Sequence, residues 1–251
     1  MEKKEITDIW TDEYKIHSYE MDVKGNASLP MLCKYMQESA YHHAENLGFG
    51  FSHLMEKNLF WVLVNQKIKM KSYPRWGEKI IIHTWPSGKG RLSYFRDFKI
   101  FDQNKQLIGI ATTTWYAIDL EKRRPRRLED YFEFNPVEGE LVFQERPDRL
   151  KFIEYVETLK TFQIGYFDLD INDHVNNVRY IEWILECFPL DFHKSHLLNE
   201  IEISYSSEAV YGDSVSTSIN ETKNKIFSHC LLRTEDEREL CRAKTSWQKI
   251  N

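Results

Sequence analysis

The sequence predicts an α+β fold in which one structural unit occurs twice, each copy a long helix laid across a curved, mostly antiparallel sheet. Two observations carry this. The first half of the chain aligns with the second in three colinear registers, and each half reads as a strand, a loop, one helix and then several strands with turn residues between them. One helix against about five strands cannot close a barrel alone, so it must lie on a sheet.

The first register places Ile16 on Ile164, Tyr19 on Phe167, Glu20 on Asp168, Met21 on Leu169, Asp22 on Asp170 and Val23 on Ile171, without a gap. The second pairs KIKMKSYPRWGEKI with EIEISYSSEAVYGDSV, setting Gly77 on Gly212 and Ile80 on Val215. In the third, Ala111, Thr113 and Trp115 meet Ala243, Thr245 and Trp247.

Taken in order, the first helix is expected over 29–47. Ser28 is its N-cap, Pro30 is tolerated in the first turn, Gly48 is the stop, and Leu29, Leu32, Met36, Ala40 and Leu47 form its apolar stripe. Strands follow over 59–71, 78–85, 91–101 and 106–118, with turns at 88–90 and 102–105. The segment 120–148, charged and holding three prolines, is expected to link the copies.

In the second copy 161–164 has the β-branched and aromatic content of a strand end. Val178, Ile181, Ile184, Leu185 and Phe188 recur at helical spacing until Pro189. Strands are expected over 199–207, 213–220, 226–233 and 239–248. This gives domains at 1–135 and 136–251, which pair within one chain and cover sheet edges that a single copy leaves open.

Hydrophobic content of 41% with 29% charged residues is that of a globular chain. No apolar run approaches the ~20 residues of a membrane helix. The N-terminal stretch has no apolar core and carries acidic residues, so a cytosolic location is expected. Cys33, Cys187, Cys230 and Cys241 form no paired motif and are expected to be reduced and buried. The net charge of −5 divides unevenly, the first half positive and the second strongly negative. No polybasic face suggests nucleic acid, and the first half is the better surface for an acidic partner.

Between strand and helix in the second copy lies a loop with Asp168, Asp170, Asn172, Asp173, His174, Asn176 and Asn177. It brings carboxylates, an imidazole and unpaired backbone N–H groups to a helix start, the ingredients of general-base chemistry on a substrate that develops an oxyanion. The repeat is an internal control. Asp22 persists opposite Asp170, but Lys24 stands opposite Asn172, Asn26 opposite His174 and Tyr73 opposite Glu208. Any active site therefore belongs to the second copy, with Asp168 structural and Asn176 or Asn177 capping the helix.

A calcium-loop reading fails, because Asp173 stands where glycine is needed and Arg179 where a bidentate Glu is required. Zinc at Asp170, His174 and Glu208 lacks any paired His or Cys, so no metal and no cofactor is expected. His42, His43, His193 and His196 sit in polar surroundings and are expected at the surface.

The segment DLDINDHVNNVRYIEWILE resembles the signature of acyl-acyl carrier protein thioesterases, tandem hotdog-fold enzymes of plants and bacteria. ESAYHHAENLGFGFS, KNLFWVLVNQKIKMKSYPRWGE and the Arg-rich turn after ATTTWYAIDL extend the similarity over nearly the whole chain. The resemblance implies hydrolysis of a fatty acyl thioester held on the phosphopantetheine of acyl carrier protein, ending fatty acid synthesis. It carries the family's Asp-x-Asn-x-His onto Asp170, Asn172 and His174 and its distal Glu onto Glu208.

Plant members often have a cysteine directly after that Glu, where this chain has Ala209. Water is then the nucleophile, activated by Glu208 or Asp170, with N–H groups around His174 and Val175 as oxyanion donors. The acyl tail is implied to lie in the first copy, beside Leu32 and Met36. Lys122, Arg123, Arg124, Arg126 and Arg127 are either a solvated loop or the docking site of the acidic carrier. An acyl-CoA thioesterase, a non-catalytic acyl-binding hotdog protein and, more distantly, a hotdog dehydratase are the alternatives, and a homodimer of tandem hotdog chains stays open.

Overall fold

A computed structural model describes residues 6–137, 139, 141–151 and 158–250. The chain forms two compact units, residues 1–64 with 71–147 and residues 65–70 with 148–251.

In the first unit the strands are β1 (Trp10–Lys15), β2 (Leu59–Met70, of which 59–64 belong here), β3 (Lys79–Lys89), β4 (Ser93–Asp102) and β5 (Leu107–Asp119). They lie in the order β1-β3-β4-β5-β2, and β1 to β5 are paired antiparallel along that path. Helix α1 (Leu29–Asn46) packs on the sheet with Leu29, Leu32, Met36 and Ala40 of the expected stripe buried, while Leu47, also expected in it, caps the helix end and is half-buried. Full burial of a Leu or Met side chain is worth ~2 kcal/mol, so this stripe fixes the helix to its sheet. The chain leaves α1 through Gly48 at φ +82°, a left-handed turn that glycine enters without steric cost. A short helix, α2 (Phe51–Glu56), follows; six residues are too few for a periodic signal, and the sequence did not announce it.

The segment 120–148 is less of a linker than its composition implies. Pro125–Arg126 forms a short strand, β6, against β5. Leu128 and Phe134 are buried with Phe49, Leu54 and Tyr94. Farther along, the wholly buried Asp97 accepts from Val142 N at 3.2 Å, from Arg146 Nη1 at 2.9 Å and from Thr112 Oγ1 at 2.6 Å. A buried carboxylate demands a counter-charge, and Arg146 supplies it. Residues 136–147 accordingly lie in the first unit, beyond the 135/136 division read from sequence.

The second unit holds β7 (Lys160–Gln163), α3 (Asn177–Leu185), α4 (Leu190–Ser195), β8 (His196–Tyr205), β9 (Ser214–Lys223), β10 (Ile226–Arg233) and β11 (Arg238–Lys249). The order is β8-β11-β10-β9-β7, antiparallel throughout. Asn65–Lys69 of β2 pairs antiparallel with β8, which is why residues 65–70 belong to this unit. Val178, Ile181, Ile184 and Phe188 are buried as expected, and the Asn176 side chain caps α3 by accepting from Val178 N at 2.9 Å.

Two of the histidines expected at the surface are buried. His43 donates from Nε2 to the Thr7 carbonyl at 2.8 Å, and its Nδ1 accepts from Arg96 at 3.1 Å. His196 stacks on Phe192. Polar neighbours in sequence did not reveal the helix face or strand face on which each ring lies. All four cysteines are buried and free.

Candidate active site

The loop between β7 and α3 owes its shape to a set of hydrogen bonds that recurs in the first unit. Asp170 N donates to His174 O at 2.7 Å, as Asp22 N does to Asn26 O at 2.7 Å. Val175 N donates to Ala209 O at 3.0 Å, as Ala27 N does to Pro74 O at 2.7 Å. Asn176 N donates to Asp168 O and Ser28 N to Glu20 O, both at 2.9 Å. On the opposing turn, Gly212 N bonds to Ile164 O and Gly77 N to Ile16 O. The duplicated backbone is one device used twice, and the two copies differ in the side chains it carries.

In the second unit those side chains bring His174 Nε2 to 3.4 Å from Glu208 Oε2, both partly exposed. Residues separated by 34 positions thus meet because His174 bridges Val210, on the turn that Glu208 enters. The buried hydroxyl of Tyr180 on α3 faces the backbone at Ala209, next to Glu208. Burial pushes that hydroxyl well above its usual range, so it stays protonated. Its ring meets Tyr205 edge-on at 5.7 Å and Trp183 at 5.5 Å. Tyr180 went unnoticed in the sequence; the signal was there in the repeat, since Leu32 is its counterpart and a buried hydroxyl needs a partner that a leucine does not.

Asp170 plays a different part. Its Oδ1 accepts from Asn172 N at 2.8 Å, the same bond that Asp22 makes with Lys24 N at 2.8 Å. Asp22 also accepts from Asn26 N at 3.1 Å, whereas the equivalent N–H, that of His174, carries no hydrogen bond among the described residues. The Val175 N–H, expected as an oxyanion donor, is instead committed to Ala209 O, because the loop is zipped to the opposing strand end there. Asn172 is exposed. Asp168 is buried and structural, accepting from Gly165 N at 2.8 Å and pairing with Arg179 Nε at 2.7 Å. Asp173 takes φ +60° where the first unit has Gly25 at φ +76°.

Among the described residues no group of three metal-ligating side chains converges, and no helix is long and apolar enough to cross a membrane. In the basic turn, Arg123, Arg124 and Arg127 are exposed. Arg126 donates to Tyr131 at 3.0 Å, and Arg123 lies over the Phe60 ring.

Two helix-on-sheet units with a His–carboxylate pair on one of them describe a hotdog-fold hydrolase. Residues 7–134 match the acyl-ACP thioesterase N-terminal domain, and residues 154–249 match the C-terminal domain. The chain is 30% identical to an oleoyl-acyl carrier protein thioesterase of Arabidopsis thaliana, over 96% of this chain and 77% of that one. It is 33% identical to an acyl-[acyl-carrier-protein] hydrolase of Cuphea viscosissima, over 95% of this chain and 61% of that one. The crystal structure of an acyl-ACP thioesterase from Bacteroides thetaiotaomicron superposes with a TM-score of 0.85 at 29% identity, covering 96% of this chain and 98% of the other. This chain belongs to the acyl-ACP thioesterase family and is a thioester hydrolase.

Proposed function

We propose that the enzyme hydrolyses fatty acyl-ACP with water as nucleophile and Glu208 as general base. The observation that carries the assignment is the 3.4 Å approach of His174 to Glu208 in the one unit that has both residues. Water held between them loses its proton to Glu208 as its oxygen attacks the thioester carbonyl carbon. The carbonyl oxygen becomes an oxyanion, received by the free N–H of His174 and the side chain of Asn172, at ~3 kcal/mol per donor in comparable sites. When the carbon–sulfur bond breaks, Glu208 returns the proton to the leaving sulfur, giving free fatty acid and holo carrier protein. His174 orients the water and the carboxylate.

Asp170 acts as a positioning residue in this scheme. A carboxylate kept in the copy without the imidazole, with the same backbone bond, is there for the loop. The acyl tail is assigned to the first unit, at the seam between α1 and its sheet where Leu32 and Met36 are buried. The carrier is assigned to the basic turn, where Arg124 and Arg127 are exposed, and the setting to the cytosol. The test is thiol release from carrier-bound and CoA-bound thioesters of graded acyl length. Reversing Arg124 and Arg127 to Glu should raise KM for the carrier substrate severalfold and leave a short CoA thioester unaffected. Equal effects on both would remove the docking assignment, and wild-type turnover by His174→Ala would remove the site.

A further inference from the structure

Two tyrosines of the second unit have aliphatic counterparts in the first. Tyr180 on α3 stands opposite Leu32, and Tyr205 at the end of β8 stands opposite Met70. Leu32 and Met70 are buried core residues, so the repeated scaffold is satisfied at both places without a phenol.

The two phenols act as one piece. Their rings meet edge to face, with centroids 5.7 Å apart and planes at 81°. The Tyr205 hydroxyl donates to Asn177 O at 3.2 Å, in the first turn of α3 and three residues after His174. The buried Tyr180 hydroxyl faces the backbone at Ala209, directly after Glu208.

Ala209 is itself replaced in the first unit, by Pro74, which has no N–H to offer a hydroxyl. Hydroxyl and N–H are thus both present in one copy and both missing from the other. The backbone nevertheless runs alike in the two, since Val175 N bonds to Ala209 O as Ala27 N does to Pro74 O. The replacements alter what lies beside Glu208 and leave the turn itself unchanged.

We infer that Tyr180 and Tyr205 are positioning residues, a brace between the start of α3 and the turn at Ala209 that sets the approach of His174 to Glu208. This rests on the catalytic roles proposed above for those two residues. His174 stands just before one end of the brace and Glu208 just before the other. A 3.4 Å approach between a loop imidazole and a turn carboxylate persists only where both backbones are held, and neither tyrosine needs to touch substrate to hold them.

The test uses the full chain and a carrier thioester. Tyr180→Phe and Tyr205→Phe keep the ring contact and remove only a hydroxyl, so both should unfold in urea near the wild-type midpoint. Each should lower kcat about tenfold with KM within about twofold, because a small displacement of reacting groups is felt in turnover. The second measurement places Tyr180→Phe in a Glu208→Gln chain, where it should cost less than about a further twofold, since it acts through a carboxylate already removed. A tenfold loss in both backgrounds would show damage unrelated to Glu208 and overturn the inference. So would a rise in KM at unchanged kcat, or wild-type kcat in both phenylalanine variants while Glu208→Gln is slow. Glu208→Gln turning over at the wild-type rate would instead remove the catalytic assignment, and the brace with it.

Discussion

Replacing Glu208 by Gln separates proton transfer from every other contribution of that residue. The amide keeps the size and the hydrogen-bonding reach of the side chain, so the loop, the Tyr180 hydroxyl facing Ala209 and the approach to His174 are retained. What is lost is the base. General-base catalysis contributes roughly 10²–10⁴ in rate, and a midpoint of about 10³ corresponds to about 4 kcal/mol of barrier. Stability should hardly move, because the His174–Glu208 pair is partly exposed and such pairs contribute at most ~1 kcal/mol. The assay is kcat/KM for a carrier thioester followed by thiol release, beside urea unfolding of the same samples. Asp170→Asn is the control: its Oδ1 can still accept from Asn172 N, so activity should stay within about tenfold of wild type. A Glu208→Gln variant within tenfold of wild type, or an Asp170→Asn variant that loses ~10³ instead, would refute the assignment of the base.

Two further outcomes follow from the loop and from the first unit. Asp173 holds a left-handed backbone that Gly25 holds in the other copy, so Asp173→Gly should leave stability within ~0.5 kcal/mol, whereas the β-branched Asp173→Val should cost ~1–2 kcal/mol; equal unfolding midpoints for the two would contradict this. Burial first, and the Arg96 guanidinium second, lower the His43 pKa from 6.5 to about 4. The unfolded chain therefore binds the proton more tightly, and the stability contributed by neutral His43 is full above the unfolded value and lost as pH falls toward the folded one. Between pH 7.5 and about pH 5 wild type should lose ~2 kcal/mol more than His43→Gln, whose amide can replace both ring hydrogen bonds. Parallel pH dependences in urea titrations would show that His43 is not the group responsible.

Much of this architecture was legible because two kinds of signal coincided. Alternation gave the strands and helical spacing gave α1 and α3, each a period that a buried face imposes on sequence. Short helices such as α2 and α4 carry less than two turns of such a period and passed unseen. The segment 120–148 misled for a different reason. Its charge and prolines describe a linker, while its packing depends on Leu128, Phe134 and an Arg146–Asp97 pair whose members are far apart in the chain. His43 belongs with it, since the Arg96 that buries it sits on a strand that no local reading connects to α1.

The site shows where legibility ends in a more instructive way. Comparison of the copies nominated it, because a position that is polar in one and replaced in the other is not required by the scaffold. The same comparison did not by itself rank Asp170 against Glu208. That needed the bonds: Asp170 repeats a backbone contact already made by Asp22, and Glu208 makes a side-chain contact that Tyr73 cannot. A duplicated chain thus offers a test that a single domain lacks. A residue whose bonds recur in the other copy is accounted for by the backbone, and a residue whose bonds occur once is a candidate for the chemistry. Applied beyond the acids, this test selects Tyr180, which replaces Leu32, and the His174 N–H, which has shed the bond that Asn26 keeps with Asp22. In the proposed assignment the second copy differs from the first as much by a backbone donor left without its hydrogen bond as by the side chains it carries.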